Sequence, residues 1–203
     1  MPNIQVKQRP LLTRVESFQH VSPFLAHILA RRGVASEQEL ELRLKYLLSP
    51  CLKGLEQAVE IINQAIDQQK KIVIVGDYDA DGATSTALMI LALRDMGADV
   101  AYLVPDRFKY GYGLTPAIAD LAFTRFTPDL LITVDNGISS HEGVKQAQDH
   151  GMQVIITDHH LTTKETPAAE AVVNPNQLGC NFPSKALAGV GVAFYVLANL
   201  CSF

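Results

Sequence analysis

The segment KIVIVGDYDADG, residues 71–82, joins a short β-branched run to a loop of three aspartates that closes on a glycine. Four more apolar runs follow, in DVAYLVP (99–105), DLLITVDNG (129–137), MQVIITD (152–158) and EAVVNP (170–175). Amphipathic stretches cover residues 84–97, 115–126, 139–151 and 186–200. This alternation predicts an α/β fold in which helices cover both faces of a parallel sheet, in three layers.

The N-terminal part of the chain has a different pattern. Apolar residues recur every three or four positions in residues 22–33, 36–48 and 55–71, which is the period of amphipathic helices. Ser22 with Pro23 predicts the start of one helix, and Ser36 with Glu39 predicts a capping box at the next. We therefore expect a small helical region over residues 1–70 and an α/β domain over residues 71–203.

Composition and charge exclude several classes of protein. Of the 203 residues, 48% are hydrophobic and 19% are charged, which excludes a disordered chain. No run approaches the ~18 apolar residues of a membrane span, and the N-terminus lacks the apolar stretch of a signal peptide, so we expect a soluble, cytoplasmic protein. Residues 1–71 carry ten Lys/Arg and seven Asp/Glu, whereas residues 72–203 carry seven and fourteen. This is not a strongly basic nucleic-acid binder, but the acidic part could hold divalent cations.

Acidic side chains follow three of the predicted strands at the points where the strands end. Because the carboxyl ends of parallel strands lie at one edge of a sheet, these side chains should converge in one cleft. Clustered carboxylates repel one another unless cations lie between them, and oxygen ligands with one or two imidazoles suit Mn²⁺ or Mg²⁺. Two such ions can catalyse the hydrolysis of phosphate esters. The side chains concerned are Asp77, Asp79, Asp81, Asp135, Asp158, His159 and His160.

Other interpretations of these acids have to be weighed. An acid after a strand often caps the next helix. Each carboxylate taken alone, including Asp81 and Asp135, therefore fits a helix cap as well as it fits a metal ligand. An EF-hand loop is disfavoured because position 12 counted from Asp77 is Leu88, where that loop requires a glutamate. A Walker A loop is disfavoured because Ala83 stands where its lysine belongs.

The motifs, taken in order, resemble one known family, the DHH phosphoesterases. GDYDADG (76–82) resembles the first motif of the family, TVDNGISS (133–140) the second, and TDHH (157–160) the motif that names it. Two further stretches, PDRFKYGYGL (105–114) and LAGVGVAF (187–194), are more similar to the bacterial single-strand-specific exonucleases of the family than to its pyrophosphatases or small-nucleotide phosphatases. In LAGVGVAF, the two glycines fit close helix packing or backbone N–H groups near a phosphate.

The resemblance implies a site that holds two Mn²⁺ or Mg²⁺ ions. Asp79 would bind one ion and Asp81 the other, and Asp135 would bridge both. His159 would join the second ion, and Asp77 would help to hold the first ion or its water.

The resemblance also implies roles around these ligands. Asp158 would orient His159 from outside the ligand shell, and His160 would contact the phosphate and stabilise the transition state, which makes His160 and Asp135 the candidate catalytic residues. The loop at 105–114 either binds DNA or covers the helical region with its tyrosines. Its candidate DNA contacts are Arg107, Lys109, Tyr110 and Tyr112.

The activity implied by the resemblance is two-metal hydrolysis of single-stranded DNA, in the 5′-to-3′ direction, to mononucleotides in DNA repair and recombination. The implied partners are single-stranded DNA and other DNA-repair proteins, and the full-length protein would be a monomer with no membrane contact. The family has a further metal-binding aspartate and a second domain, and no aspartate follows Asp158 here. The chain therefore reads as truncated at its C-terminal end, and a non-catalytic module that binds DNA or a protein partner is the alternative.

A third enzymatic interpretation is a phosphatase of the haloacid-dehalogenase type. Asp79 would be its nucleophile, because the segment DADG resembles that loop. The threonine of that loop is expected at position 83, where Ala83 stands, and the scheme leaves His159 and His160 without a role. This interpretation is therefore disfavoured.

Overall fold

A five-stranded parallel sheet is the scaffold of the larger of two units into which the chain divides, beginning at Pro50. The computed structural model describes residues 7–41, 43–162 and 165–200, without the side chain of Ser17. The strands are β1 Lys71–Val75, β2 Asp99–Leu103, β3 Leu130–Val134, β4 Gln153–Thr157 and β5 Ala171–Val173. They lie in the order β2-β1-β3-β4-β5, and every neighbouring pair is parallel. The five predicted strands are therefore confirmed.

Helices cover both faces of this sheet, as predicted. The α-helices of the described residues are α1 Pro23–Arg31, α2 Leu55–Asp67, α3 Ala80–Asp95, α4 Arg107–Tyr110, α5 Pro116–Phe126, α6 His141–Asp149 and α7 Gly189–Leu200. Ile72 and Ile74 of β1 pack on the side of α2, α3 and α7, whereas Val73 and Val75 pack on the side of α5 and α6. Successive side chains of a strand point to opposite faces, so a continuous apolar run is buried on both.

The helix α2 belongs to the sheet unit, whereas the sequence placed it in the N-terminal region. Its residues Ala58, Val59 and Ile62 are buried in the same core as β1 and β3. The structure therefore divides after Ser49 rather than at residue 70. A helix next to a strand in sequence gains more by burying its apolar face on the sheet than by standing apart.

The N-terminal unit contains one of its two predicted helices. The Oγ of Ser22 accepts the N–H of Leu25 at 3.3 Å at the start of α1, which confirms that start. The predicted helix over residues 36–48 is wrong, because its described residues form only short 3₁₀ helices, at Glu37–Leu40 and Leu44–Tyr46. Its leucines Leu44 and Leu47 are exposed, so an apolar stripe without burial did not stabilise a longer helix.

The order of the strands places a switch point between β1 and β3. The chain leaves β1 for β2 on one side of the sheet and later returns to β3 on the other side. Ligands of open α/β sheets bind at such a point, beyond the carboxyl ends of the strands.

No helix in the described part of the chain has both the length and the apolar character that a membrane span requires.

Candidate metal centre

The loop after β1 places three aspartates in three different settings. Asp77 lies two residues beyond the end of β1, Asp79 is the N-cap of α3, and Asp81 lies in the first turn of that helix. The Oδ1 of Asp79 accepts the N–H of Gly82 at 2.9 Å, and this bond lowers the pKa of Asp79. A Cβ at Gly82 would lie 2.5 Å from the carbonyl oxygen of Asp77, so the tight turn requires glycine. Of the three, Asp79 caps its own helix, and Asp81 does not.

The loop after β3 fixes Asp135 in a strained position under the carboxyl edge of the sheet. Its φ is +61°, which residues other than glycine rarely adopt, and its side chain is only 2% exposed. The side-chain amide of the next residue, Asn136, donates to the carbonyl oxygens of Val75 and Val134 at 3.1 and 2.9 Å. Asn136 thus ties the ends of β1 and β3 together beside Asp135. Because α6 starts only at His141, Asp135 is not the cap of that helix.

The loop after β4 holds its two histidines through a buried carboxylate. The Oδ1 of Asp158 accepts the backbone N–H of His159 at 2.7 Å and Nδ1–H of the His160 ring at 2.7 Å, while its Oδ2 accepts the N–H of Ile138 at 2.8 Å. Burial opposes the ionisation of Asp158, but hydrogen bonds from the ring and the backbone N–H of His160, and from the N–H of Ile138, hold its pKa below the ordinary value. The Asp158 carboxylate in turn raises the pKa of His160 above 6.5. The predicted role of Asp158 is therefore corrected, because its carboxylate bonds to the ring of His160 and not to that of His159.

The three loops bring their ligand atoms into two groups. In one group of described residues, one oxygen from each of three carboxylates lies within 4.8 Å of the other two. In the other group, one carboxylate oxygen and two ring nitrogens lie within 4.8 Å of one another. Asp135 belongs to both groups. The first group is Asp77, Asp79 and Asp135, and the second is Asp135, His159 and His160.

Asp135 also carries an oxygen that no donor among the described residues satisfies. Its Oδ1 is buried and makes no hydrogen bond to any described residue, although Nε2 of His159 lies 3.0 Å away. Burial raises the pKa of Asp135 to about 7, with smaller contributions from the charges of Asp81 and Asp79. A carboxylate that has a buried oxygen close to a ring nitrogen, and that belongs to two groups of ligand atoms, has the donor chemistry of a site for divalent cations. The residues present therefore fit such ions.

Asp81 lies near the second group but is held by another helix. Its Oδ2 is 3.5 Å from Nε2 of His159 and accepts the N–H of Gly189 at 2.7 Å, while its Oδ1 accepts the N–H of Val190 at 2.7 Å. The sequence predicted Asp81 as a ligand of the second ion, together with His159 and Asp135. The second group contains His160 in place of Asp81.

Arg107, the predicted phosphate contact, lies at the edge of the first group. Its Nη2 is 2.8 Å from both Oδ1 and Oδ2 of Asp77. Its guanidinium carbon lies 4.0 Å from the ring centroid of Tyr78 and 5.3 Å from that of Tyr112. The hydroxyl of Tyr112 is 3.4 Å from Nε2 of His160, and burial raises the pKa of this tyrosine. The structure thus brings Arg107 and Tyr112 to the acidic cleft.

The other two predicted DNA contacts, Lys109 and Tyr110, lie beside each other. The ring of Tyr110 packs against the core on the side of α5 and α6, and Nζ of Lys109 lies 5.0 Å from the centroid of that ring. Tyr110 therefore packs on the core of the sheet, whereas the alternative interpretation expected the tyrosines of this loop to cover the helical region. The sequence analysis did not single out Tyr78, whose ring contacts the guanidinium of Arg107. Its position between Asp77 and Asp79 in the acidic motif could have pointed to it.

Comparison with known proteins places this geometry in one family. The family described as DHH family, N-terminal domain, matches residues 71–202. The single-stranded-DNA-specific exonuclease RecJ of Escherichia coli (strain K12) is 50% identical over 202 residues, which cover 98% of this chain and 35% of that protein. The chain thus spans about a third of the length of this curated relative.

Solved structures give the same result. A crystal structure of RecJ from Thermus thermophilus in complex with Mn²⁺ is 35% identical, with a TM-score of 0.71 over 90% of this chain and 25% of that one. A crystal structure of the RecJ of that organism with Mg²⁺ is 31% identical, with a TM-score of 0.56 over 90% of this chain and 21% of that one. The family model matches more than half of the length of this chain, and the chain therefore belongs to the DHH family.

Proposed function

We propose that this chain is the metal-binding, catalytic part of an exonuclease that hydrolyses single-stranded DNA. The observation that carries the proposal is the pair of ligand groups that share Asp135 at the switch point between β1 and β3. The relatives named as single-stranded-DNA-specific exonucleases, together with the structures of RecJ with Mn²⁺ and Mg²⁺, support the same substrate and the same ions.

Five side chains would hold the two ions in this proposal. Asp77 and Asp79 would serve one ion, and Asp135 would contact both. Asp81, whose Oδ2 lies 3.5 Å from Nε2 of His159, would serve the other ion with His159 in place of His160, which is assigned to the phosphate. Bound Mn²⁺ or Mg²⁺ lowers the pKa of a bound water and stabilises negative charge on phosphate oxygens. Before an ion binds, the proton that burial favours on Asp135 has to leave, because the ligand is the carboxylate.

The residues around the ions would bind and orient the phosphate. Asp158 raises the pKa of His160, so that its imidazole stays protonated and positively charged to higher pH and attracts phosphate. Tyr112 contacts the far nitrogen of the same ring, which limits the positions that the ring can take. Arg107 would donate to a second phosphate oxygen, since its buried Nε makes no hydrogen bond to a described residue.

The finer parts of the function are also proposals. The 5′-to-3′ direction, the mononucleotide products and the role in DNA repair and recombination come from the resemblance alone. DNA-repair proteins as further partners, a monomeric full-length protein and a cytoplasmic location also stay predictions.

A second candidate function, a non-catalytic module that binds DNA or a protein partner, is favoured by one observation. Three of the five proposed ligands already have protein donors, because Asp77 is paired with Arg107, Asp79 accepts the N–H of Gly82, and Asp81 accepts two backbone N–H groups. Metal binding would have to compete with these contacts.

A nuclease assay separates the two functions. An end-labelled single-stranded oligonucleotide and its duplex are incubated with the chain and Mn²⁺, and parallel reactions contain a chelator. Asp79→Asn removes the ligand charge but keeps an oxygen for the cap of α3, and Asp95→Asn at the exposed end of the same helix is the matched control. The proposal expects metal-dependent release of nucleotides from the single strand by the unaltered chain and by Asp95→Asn only.

Two outcomes would contradict the proposal. Equal hydrolysis by Asp79→Asn would show that the acidic cleft is not the active site. Mn²⁺ binding without hydrolysis of either substrate would favour the non-catalytic module.

A further inference from the structure

The start of α7 forms the binding partner of the Asp81 carboxylate. The N–H groups of Gly189 and Val190, the first two residues of the helix, each donate to a different oxygen of Asp81 at 2.7 Å. The first N–H groups of a helix have no partner within it, and they carry the positive end of the helix dipole. The carboxylate on α3 therefore satisfies the amides of a helix that is more than a hundred residues away in sequence.

These two donors are held firmly in place. Val192 and Val196 of α7 are fully buried in the same core as Met89 of α3, the helix that carries Asp81. Because a packed core resists displacement, the distance between the start of α7 and the start of α3 is fixed. The two N–H groups thus fix both oxygens of Asp81 beside His159.

Gly189 makes a second close approach, to Asp135. A Cβ at Gly189 would lie 2.5 Å from Oδ1 of Asp135 and 2.9 Å from its Cβ and Cγ. The clash would involve the buried base of the side chain as well as its tip, and the backbone of Asp135 is already in the left-handed region. Any side chain at position 189 must therefore displace either Asp135 or the start of α7.

We infer that Gly189 is a positioning residue of the metal centre. Its N–H group, with that of Val190, orients Asp81, and its lack of a side chain leaves the space in which Asp135 lies. This role differs from both roles that the segment LAGVGVAF suggested, helix packing and phosphate binding. The inference rests on the proposed metal centre, because it assigns the residue that sets the spacing of two proposed ligands.

Gly191 provides the matched control on the same helix. A Cβ at Gly191 would meet the side chain of Leu187, at 2.6 Å from Cδ1 and 3.0 Å from Cγ. Leu187 is partly exposed and its side chain can rotate away. Gly191→Ala therefore adds the same methyl group to the same helix without touching either carboxylate.

The test measures Mn²⁺ binding by the unaltered chain, Gly189→Ala and Gly191→Ala in a calorimetric titration. The unfolding midpoint of each protein in urea is measured in parallel. Substitution of a residue that orients a metal ligand typically weakens metal affinity about 10- to 100-fold, and we expect a loss of this size for Gly189→Ala. Gly191→Ala should bind as the unaltered chain does. Equal binding by Gly189→Ala and the unaltered chain would overturn the inference alone, whereas no binding by the unaltered chain would overturn the metal centre and the inference together.

A second measurement decides the case in which Gly189→Ala does not fold. Hydrogen exchange of the Gly189 and Val190 amides is followed by NMR in the metal-free unaltered chain and in Asp81→Ala. Because hydrogen bonds to a charged acceptor contribute about 1.5–3 kcal/mol, these two amides should exchange about tenfold faster or more in Asp81→Ala. Equal exchange rates in the two proteins would overturn the inference.

Discussion

Asp135→Asn should make the metal-free chain more stable, relative to the unaltered chain, at pH 8 than at pH 5, although it removes a proposed metal ligand. Burial raises the pKa of Asp135 from 3.8 to about 7 in the folded chain. Between these two values the folded chain keeps a proton that the unfolded chain has lost, so the free energy of unfolding falls as pH rises and levels off above pH 7. Asparagine has no such proton and removes this pH dependence.

The magnitude follows from the two pKa values. Below the folded pKa the loss is about 1.4 kcal/mol per pH unit, which amounts to about 3 kcal/mol between pH 5 and pH 8. The difference in unfolding free energy, Asp135→Asn minus the unaltered chain, should therefore be about 3 kcal/mol more positive at pH 8 than at pH 5. Titrating groups that the Asp135 charge does not influence cancel in this difference, whereas His160, whose pKa that charge helps to raise, adds a smaller pH dependence of its own.

The assay is urea unfolding at pH 5 and pH 8 in the presence of a chelator. Asp95→Asn, at an exposed position, is the control and should show no such change between the two pH values. The reasoning is refuted if Asp135→Asn is no more stable relative to the unaltered chain at pH 8 than at pH 5. In that case Asp135 would be ionised in the folded chain at both pH values.

Three further predictions concern the site. The affinity for Mn²⁺ should rise between pH 6 and pH 8, with release of a proton, because Asp135 must ionise first; calorimetry in buffers of different ionisation enthalpy measures both effects, and a flat profile would contradict the prediction. Asp158→Asn should lower the pKa of His160 towards 6.5, since it removes the charge that raises it; an NMR titration of the ring would show an unchanged pKa if the reasoning is wrong. Arg107→Ala should weaken the binding of single-stranded DNA about tenfold or more, whereas Lys109→Ala should have a smaller effect. Fluorescence anisotropy in the presence of a chelator measures both affinities, and equal effects of the two substitutions would count against the contact assigned to Arg107.

The sheet and the acidic edge could be predicted from the sequence because both depend on local patterns. The β-branched runs, the amphipathic stretches between them and the acids at their ends are each readable within a few residues. Parallel pairing then brings distant strand ends together, which is why Asp77, Asp79 and Asp135 form one group in the structure.

The features that were missed depend on burial, loop geometry and close approaches that are set only when the chain folds. The leucine pattern of residues 36–48 has helical period, but Leu44 and Leu47 are exposed in the structure, and the period alone cannot reveal this. The partner of the Asp158 carboxylate depends on how one short loop turns. The contact of Gly189 with Asp135 requires the start of α7 to approach the end of β3.

The most direct test of the account is a calorimetric titration of Mn²⁺ into the purified chain, beside Asp135→Ala. Since Asp135 belongs to both groups of ligand atoms, we expect the unaltered chain to bind Mn²⁺ and the substitution to remove binding at both sites. Unchanged Mn²⁺ binding by Asp135→Ala would contradict the assignment of the metal centre to this edge of the sheet.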